Sequence, residues 1–166
     1  MRKISVLFVC MGNICRSPLA QGVFEQRLDA AGLSDWVAVD SAGTHAYHIG
    51  NPPDPRSSDT ARQHGIDISH QRARQVAVSD FANFDYIVAM DHDNHQHLAA
   101  QSPTDYRHRL HLFLTFAPKV TQQEVPDPYY GGRSGFEQVY QLISAASDGL
   151  IDHLRQQLRG EQTTAT

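Results

Sequence analysis

Val6-Leu7-Phe8-Val9-Cys10-Met11-Gly12-Asn13-Ile14-Cys15-Arg16-Ser17-Pro18 is the stretch on which the reading of this chain turns. The residues from Ile4 to Val9 are mostly apolar and β-branched, which predicts a buried strand. Gly12 and Asn13 are turn residues that tolerate unusual backbone angles. Ser17-Pro18 predicts a helix start, with Ser as the cap and Pro in the first turn. Leu19, Val23, Phe24 and Leu28 then recur on one helical face. The segment is strand, tight loop and helix N-terminus, with a Cys and an Arg inside the loop.

That arrangement suits a tetrahedral oxyanion such as phosphate. A loop curled at a helix N-terminus turns several backbone N–H groups to its centre, and the helix dipole adds partial positive charge. Arg16 supplies a planar fork for two oxygens. Cys10, at the strand end, faces the centre of the same loop, and donors that hold a dianion also favour a thiolate. A Cys closing a buried strand is more often a small core residue. Against that, an Arg at a helix start opposes the dipole, so Arg16 is hard to explain as decoration. The nucleotide-binding P-loop needs Gly-Lys-Ser/Thr, and no Lys occurs here. A zinc site on Cys10 and Cys15 lacks a second Cys pair and a nearby His.

The remainder of the 166 residues reads as one α/β domain, large enough to bury a core without disulfides. Residues 35–43 predict a second strand ending in a turn. Asn51-Pro52-Pro53-Asp54-Pro55 is a helix-hostile loop, with Asp54 as cap and Pro55 as first position of a helix through His64, stopped by Gly65. Residues 84–90 predict a third strand, Asp91 a cap for a helix to about Ala100, and residues 110–113 a fourth strand. A final helix is expected over roughly residues 135–158, leaving a domain of residues 1–160 and a frayed polar tail over 161–166. Strands alternating with helices imply a four-stranded parallel sheet with helices on both faces, a three-layer sandwich. Ligands in such sheets bind at the carboxyl ends of the strands, where Cys10 sits.

Composition narrows the function classes. Hydrophobic residues make up 40% and charged residues 19%, the balance of a soluble globular protein. No apolar stretch approaches a membrane span, and no signal-peptide pattern opens the chain. Two cysteines, both in the candidate loop, point to a reducing cytoplasm rather than a disulfide scaffold. A net charge of −4 argues against nucleic-acid binding. The 10 histidines are scattered in polar settings and make the charge depend on pH near 6.5.

The loop resembles the signature loop of low-molecular-weight protein tyrosine phosphatases. Asp40-Ser41-Ala42-Gly43-Thr44, His70-Gln71-Arg72-Ala73-Arg74-Gln75, Ala89-Met90-Asp91 and Pro126-Asp127-Pro128-Tyr129-Tyr130-Gly131 resemble further segments of that family, in order along nearly the whole chain. The resemblance implies hydrolysis of phosphotyrosine without a cofactor or metal. Cys10 would be the nucleophile, and Arg16 with the loop amides of Met11, Gly12, Asn13, Ile14, Cys15 and Ser17 would hold the phosphate. Asp127 would be general acid and then base, although an Asp-Pro pair is also an ordinary turn former. Ser17 would donate to the Cys10 thiolate as well as cap the helix. Asn13 would order the loop, supported by Ser41 and His70, whose other reading is plain polar capping. Asp91 reads first as a helix cap and second as a restraint on nearby loops. Tyr47, Tyr129 and Tyr130 would wall a slot for an aryl ring, lined also by Met11 and Ile14 and too deep for phosphoserine. Tyr47 has the alternative of a plain exposed loop residue.

Cys15 shares the loop with Cys10, so a reversible Cys10–Cys15 disulfide under peroxide is one expectation and a small buried filler the other. Phosphorylation of Tyr129 or Tyr130 would put negative charge beside an anion site and inhibit. A phosphotyrosine protein is the expected partner, with a tyrosine kinase as its counterpart and the chain a monomer or weakly self-associating. Two rivals stand beside this reading. A thiol-linked arsenate reductase needs further cysteines, and none follows Cys15. A non-catalytic phosphotyrosine-binding module would share the same residues.

Overall fold

β1 (Ile4–Cys10) is the hub of the molecule, paired in parallel with β2 (Val37–Gly43) on one side and β3 (Tyr86–Ala89) on the other. β4 (Leu110–Leu112) adds to β3, giving the parallel order β2-β1-β3-β4 in the computed structural model. The structure describes residues 3–129 and 131–164, without the side chains of 133 and 161–164.

The unbroken apolar run of β1 has a physical cause, since both faces of the strand are covered. Val6, Phe8 and Cys10 face a layer built by α1 (Arg16–Ala30) and α5 (Arg133–Thr164), together with Val88 and Met90. Leu7 and Val9 face the other layer, with Phe81, Ile87, Ala89 and Leu98. Phe81 lies on the short α3 (Asp80–Asn83) and Leu98 on α4 (His92–Gln101). The expected three-layer α/β sandwich is therefore the observed one. Leu19, Val23, Phe24 and Leu28 are all buried, as their spacing predicts. α2 (Pro55–Gln63) opens as expected, with the Asp54 carboxylate accepting from the Arg56 N–H at 2.9 Å.

Three departures have physical reasons. α1 begins at Arg16 with Cys15 at the cap position and no side-chain cap bond, so Ser17 is not the cap; its hydroxyl is taken by the loop instead. β4 is three residues long and passes directly into a 3₁₀ turn, Phe113–Phe116. α5 runs to Thr164 instead of ending near Leu158; the side chains of the expected frayed tail, 161–166, and the backbone of 165 and 166 lie outside the described residues. Among the described residues no helix is long and apolar enough to cross a membrane.

Gly149 shows why a helix breaker sits in the middle of α5. A Cβ built there would stand 1.6 Å from the Phe116 carbonyl oxygen, so the bare Cα lets the 3₁₀ turn lie against the helix backbone. Helix propensity alone would favour Ala by about 1 kcal/mol, but backbone cannot retreat as a side chain can. Gly149→Ala is therefore expected to destabilise by roughly 3 kcal/mol or more, read as a lowered urea midpoint at unchanged slope.

Candidate active site

Cys10 ends β1 opposite Gly43 of β2, at the carboxyl edge of the sheet. The loop that follows is pinned from outside by its carbonyls. Thr44 N–H donates to Cys10 O at 2.9 Å, His45 N–H to Met11 O at 3.0 Å, Asp54 N–H to Ile14 O at 2.8 Å, and Ser57 Oγ to Cys15 O at 2.9 Å. A peptide unit points its N–H opposite its carbonyl, so these bonds turn the next residues' N–H groups inward and build an anion nest. Gly43 is required for this closeness, because a Cβ there would lie 2.8 Å from Met11 O. Asn13 holds the bend in the left-handed region, at φ 58°.

The Asn13 side chain does more than permit the turn. Its Oδ1 accepts from Arg74 N–H at 3.0 Å, and its Nδ2 donates to Ser17 Oγ at 2.7 Å and Ser41 Oγ at 3.0 Å. Ser17 Oγ accepts from Asn13, and its own proton has Cys10 Sγ at 3.0 Å as the nearer acceptor and Ala42 O at 3.5 Å as the longer one. The Ser17 N–H lies 3.5 Å from the same sulfur. Ser41 Oγ in turn donates to Gln21 Oε1 at 2.9 Å, with Gln71 Oε1 at 3.5 Å, and Gln71 Nε2 donates to Pro18 O at 3.0 Å. His70 is not among the groups that hold Asn13. It is exposed, and Gln71 occupies the place expected for it. Adjacent side chains in a non-helical stretch point to opposite sides, so an offset of one residue exchanges inward for outward.

Arg16 is 2% exposed and anchored twice. Its Nη1 donates to Asp91 Oδ2 at 2.6 Å and to Val125 O at 3.0 Å, and its Nη2 lies 3.7 Å from Asp127 Oδ2. Burial alone would disfavour the charged guanidinium, but the negative groups at Cys10, Asp91 and Asp127 outweigh it and make its proton harder to remove. Asp91 unites its two expected roles: one oxygen caps α4 on the Asn94 N–H at 2.8 Å, and the other holds Arg16. Asp127 combines roles too, since Oδ1 accepts the Tyr129 N–H at 3.0 Å in a side-chain turn while Oδ2 faces Arg16. Arg56 straps this loop to α2. It bonds Asp54 and Gly131 O, and its guanidinium lies over Tyr129 and Phe136. Those bonds to Arg56 hold the Asp54 carboxyl below the usual range although its burial pulls upward.

Cys15 differs from Cys10. Burial, with the negative charge of Asp54, Cys10 and Asp127 around it, pushes its thiol strongly up, so it is kept neutral.

These groups line one cavity of about 330 Å³. Cys10 and Arg16 share it with Met11, Gly12, Ile14, Tyr47, Tyr129 and Asp127, all expected there, and with His48, which was not. Nothing but adjacency to Tyr47 marks His48 in the sequence. Its ring leans on Gly12, where a Cβ would lie 2.8 Å from Cδ2. Tyr47 is 71% exposed and stands at the cavity as an open wall. Tyr130 lies outside the described residues.

A family model described as low molecular weight phosphotyrosine protein phosphatase matches residues 5–161. A relative from Synechocystis, described as a putative low molecular weight protein-tyrosine-phosphatase, is 43% identical over 156 residues, 93% of this chain and 99% of that one. The human low molecular weight phosphotyrosine protein phosphatase is 46% identical over 139 residues, 82% of this chain and 87% of the human one. The crystal structure of a protein tyrosine phosphatase from Entamoeba histolytica, with Hepes in its active site, superposes with a TM-score of 0.90 at 39% identity, covering 93% of this chain and 98% of that one.

Proposed function

Because this chain belongs to the low-molecular-weight phosphotyrosine protein phosphatase family, we propose that it hydrolyses phosphotyrosine in proteins, and small aryl phosphates, through a phosphocysteine on Cys10. One observation carries the reading. Cys10 Sγ meets the Ser17 hydroxyl at 3.0 Å in a cavity that also takes in Arg16 and Asp127.

In the first step the Cys10 thiolate attacks phosphorus. The S–P bond forms as the P–O bond to the aryl oxygen breaks, and Asp127 gives its proton to the departing phenolate. In the second, water attacks phosphorus, Asp127 takes a water proton, and the S–P bond breaks to release phosphate and restore the thiolate. The loose transition state leaves most of the work to positioning and charge. That work falls to the Arg16 fork and the N–H groups of residues 11–17. The aryl ring lies between Tyr47 and Tyr129. A cavity of about 330 Å³ is at the small end of ligand sites, roughly 300–1,000 Å³, which suits one aryl phosphate and not a larger ligand.

Rapid mixing with an aryl phosphate in EDTA tests this. A burst of phenolate equal to the enzyme sites, with acid-labile, alkali-stable phosphate trapped on Cys10 by a quench in base, is expected. Phosphate binding without burst or turnover would make the chain a phosphotyrosine-binding module. Residues 1–160 form the catalytic domain in this reading, acting in the cytoplasm on phosphotyrosine proteins whose counterpart is a tyrosine kinase.

The paired cysteines add a protective step. Hydrogen peroxide oxidises the Cys10 thiolate to a sulfenic acid. Cys15 Sγ then attacks that sulfur, an S–S bond forms, and the hydroxyl leaves as water with the Cys15 proton. Cys15→Ser is expected to recover under about a tenth of its activity with thiol after a peroxide dose from which the parent recovers most. Equal recovery in the two proteins would end the protective role.

A further inference from the structure

A row of rings leads away from the cavity, and beyond Tyr47 it is used by no step above. Tyr47 lines the cavity; the His45 ring stacks on it, centroids 5.1 Å apart and planes 10° apart. The His97 ring then meets His45 edge-on at 4.8 Å. His45 is rigidly attached to the anion loop, since its N–H donates to Met11 O, and its Nδ1 lies 2.8 Å from Thr44 Oγ1. Thr44 is itself held, its carbonyl accepting from Gln75 Nε2 at 3.2 Å. His97 is exposed on α4, the helix whose cap Asp91 grips Arg16. Two elements that build the catalytic loop thus also bring two imidazoles together beside its mouth.

Resting on the phosphatase reading, we propose that the His45–His97 pair is a subsite for an acidic side chain of the substrate, near its phosphotyrosine. Two imidazoles in edge-to-face contact at 4.8 Å repel when both carry protons, and a carboxylate laid against the rim of both removes the repulsion. Neutral imidazoles offer a carboxylate far less. The charged and titratable groups around the pair come from its own loop, from α4 and from across the cavity. Tyr47 and His48 come from its own loop. Asp91 and Asp93 come from α4, Asp93 one helical turn before His97, and Asp91 is committed to Arg16 and the α4 cap. Asp127, across the cavity, is engaged by Tyr129 N–H and Arg16. An extended chain advances about 3.3 Å per residue, so an acid two or three residues from the phosphotyrosine reaches the pair after passing Tyr47.

Phosphotyrosine peptides carrying Glu or Gln at those positions distinguish the outcomes. Each kcat/KM is divided by that for phenyl phosphate, which has no flanking residues. The parent is expected to prefer the Glu peptide about three- to fivefold at pH 5.5. His97→Gln loses the preference, and His97→Arg, which carries a fixed charge, keeps it. No preference in the parent at pH 5.5, or the same preference in His97→Gln, overturns the subsite while the phosphatase stands. Failure of the parent on phenyl phosphate overturns the reading beneath it, and the subsite with it.

Discussion

Cys10→Ser is expected to lower kcat for an aryl phosphate by at least ~10⁴-fold, with EDTA present in both assays, while phosphate still binds. A hydroxyl in place of the sulfur changes little else. The side chain is 2% exposed and shrinks slightly, and the loop carbonyls stay pinned by Thr44, His45, Asp54 and Ser57. Arg16 keeps its bonds to Asp91 and Val125, so the oxyanion cradle survives. What is lost is the nucleophile, because a serine hydroxyl gives up its proton far less readily than a thiol, and the group bonded to it is no base. Ser17 offers only a hydroxyl, and Asn13 already donates into it. Inorganic phosphate affinity by calorimetry and kcat by phenolate release should therefore separate cleanly. Turnover above about a hundredth of the parent's would move the covalent step off Cys10. Loss of phosphate binding together with turnover would mean that the sulfur organises the loop and is not only its reactive atom.

The strand–loop–helix that carries this chemistry is legible because its signals are local. An apolar run, Gly and Asn at the bend and Pro in the first helical turn sit within thirteen consecutive residues. Asp54 and Asp91 are legible for the same reason, as caps immediately ahead of their helices. Ser17 shows the limit of local rules. Ser before Pro reads as a cap, but Asn13 and Cys10 compete for its hydroxyl, and a tertiary partner wins over a propensity worth about 1 kcal/mol. Gln71 in the place expected for His70 is an error of one position, which periodicity cannot resolve in a segment with no regular structure. Arg16 reaching Val125 O spans 109 residues, and nothing in either segment announces the other. The short α3 and the 3₁₀ turns fall below the length at which a repeat is visible. His48 enters the cavity only because Gly12 leaves room for its ring.

Asp127 is where a turn former and a proton donor occupy one residue, and paired substitutions separate them. Asp127→Asn keeps an oxygen for the Tyr129 N–H, now bonded to Oδ1 at 3.0 Å, and so keeps the turn. Asp127→Ala loses the turn and the proton together. If the carboxyl hands its proton to the leaving phenolate, both variants should lose about 10²–10³ in kcat on phenyl phosphate. The loss should shrink as the leaving group improves, because a stable phenolate departs without a proton. The fall in kcat/KM on the basic side of the pH profile, which reports deprotonation of the general acid, should flatten in both. The second step gives an independent reading. With a good leaving group the first step proceeds, water is no longer activated, and phosphocysteine should accumulate on Cys10 to a level visible after a quench in base. Neutralising Asp127 also takes away the negative group 3.7 Å from Arg16, while the Asp91 contact at 2.6 Å remains, so the cradle and phosphate affinity should hold. An Asn variant that recovers most of the parent's rate while the Ala variant does not would make Asp127 a shaper of the loop. The proton would then have to come from elsewhere, and His48, whose ring also lines the cavity, would be the first to replace.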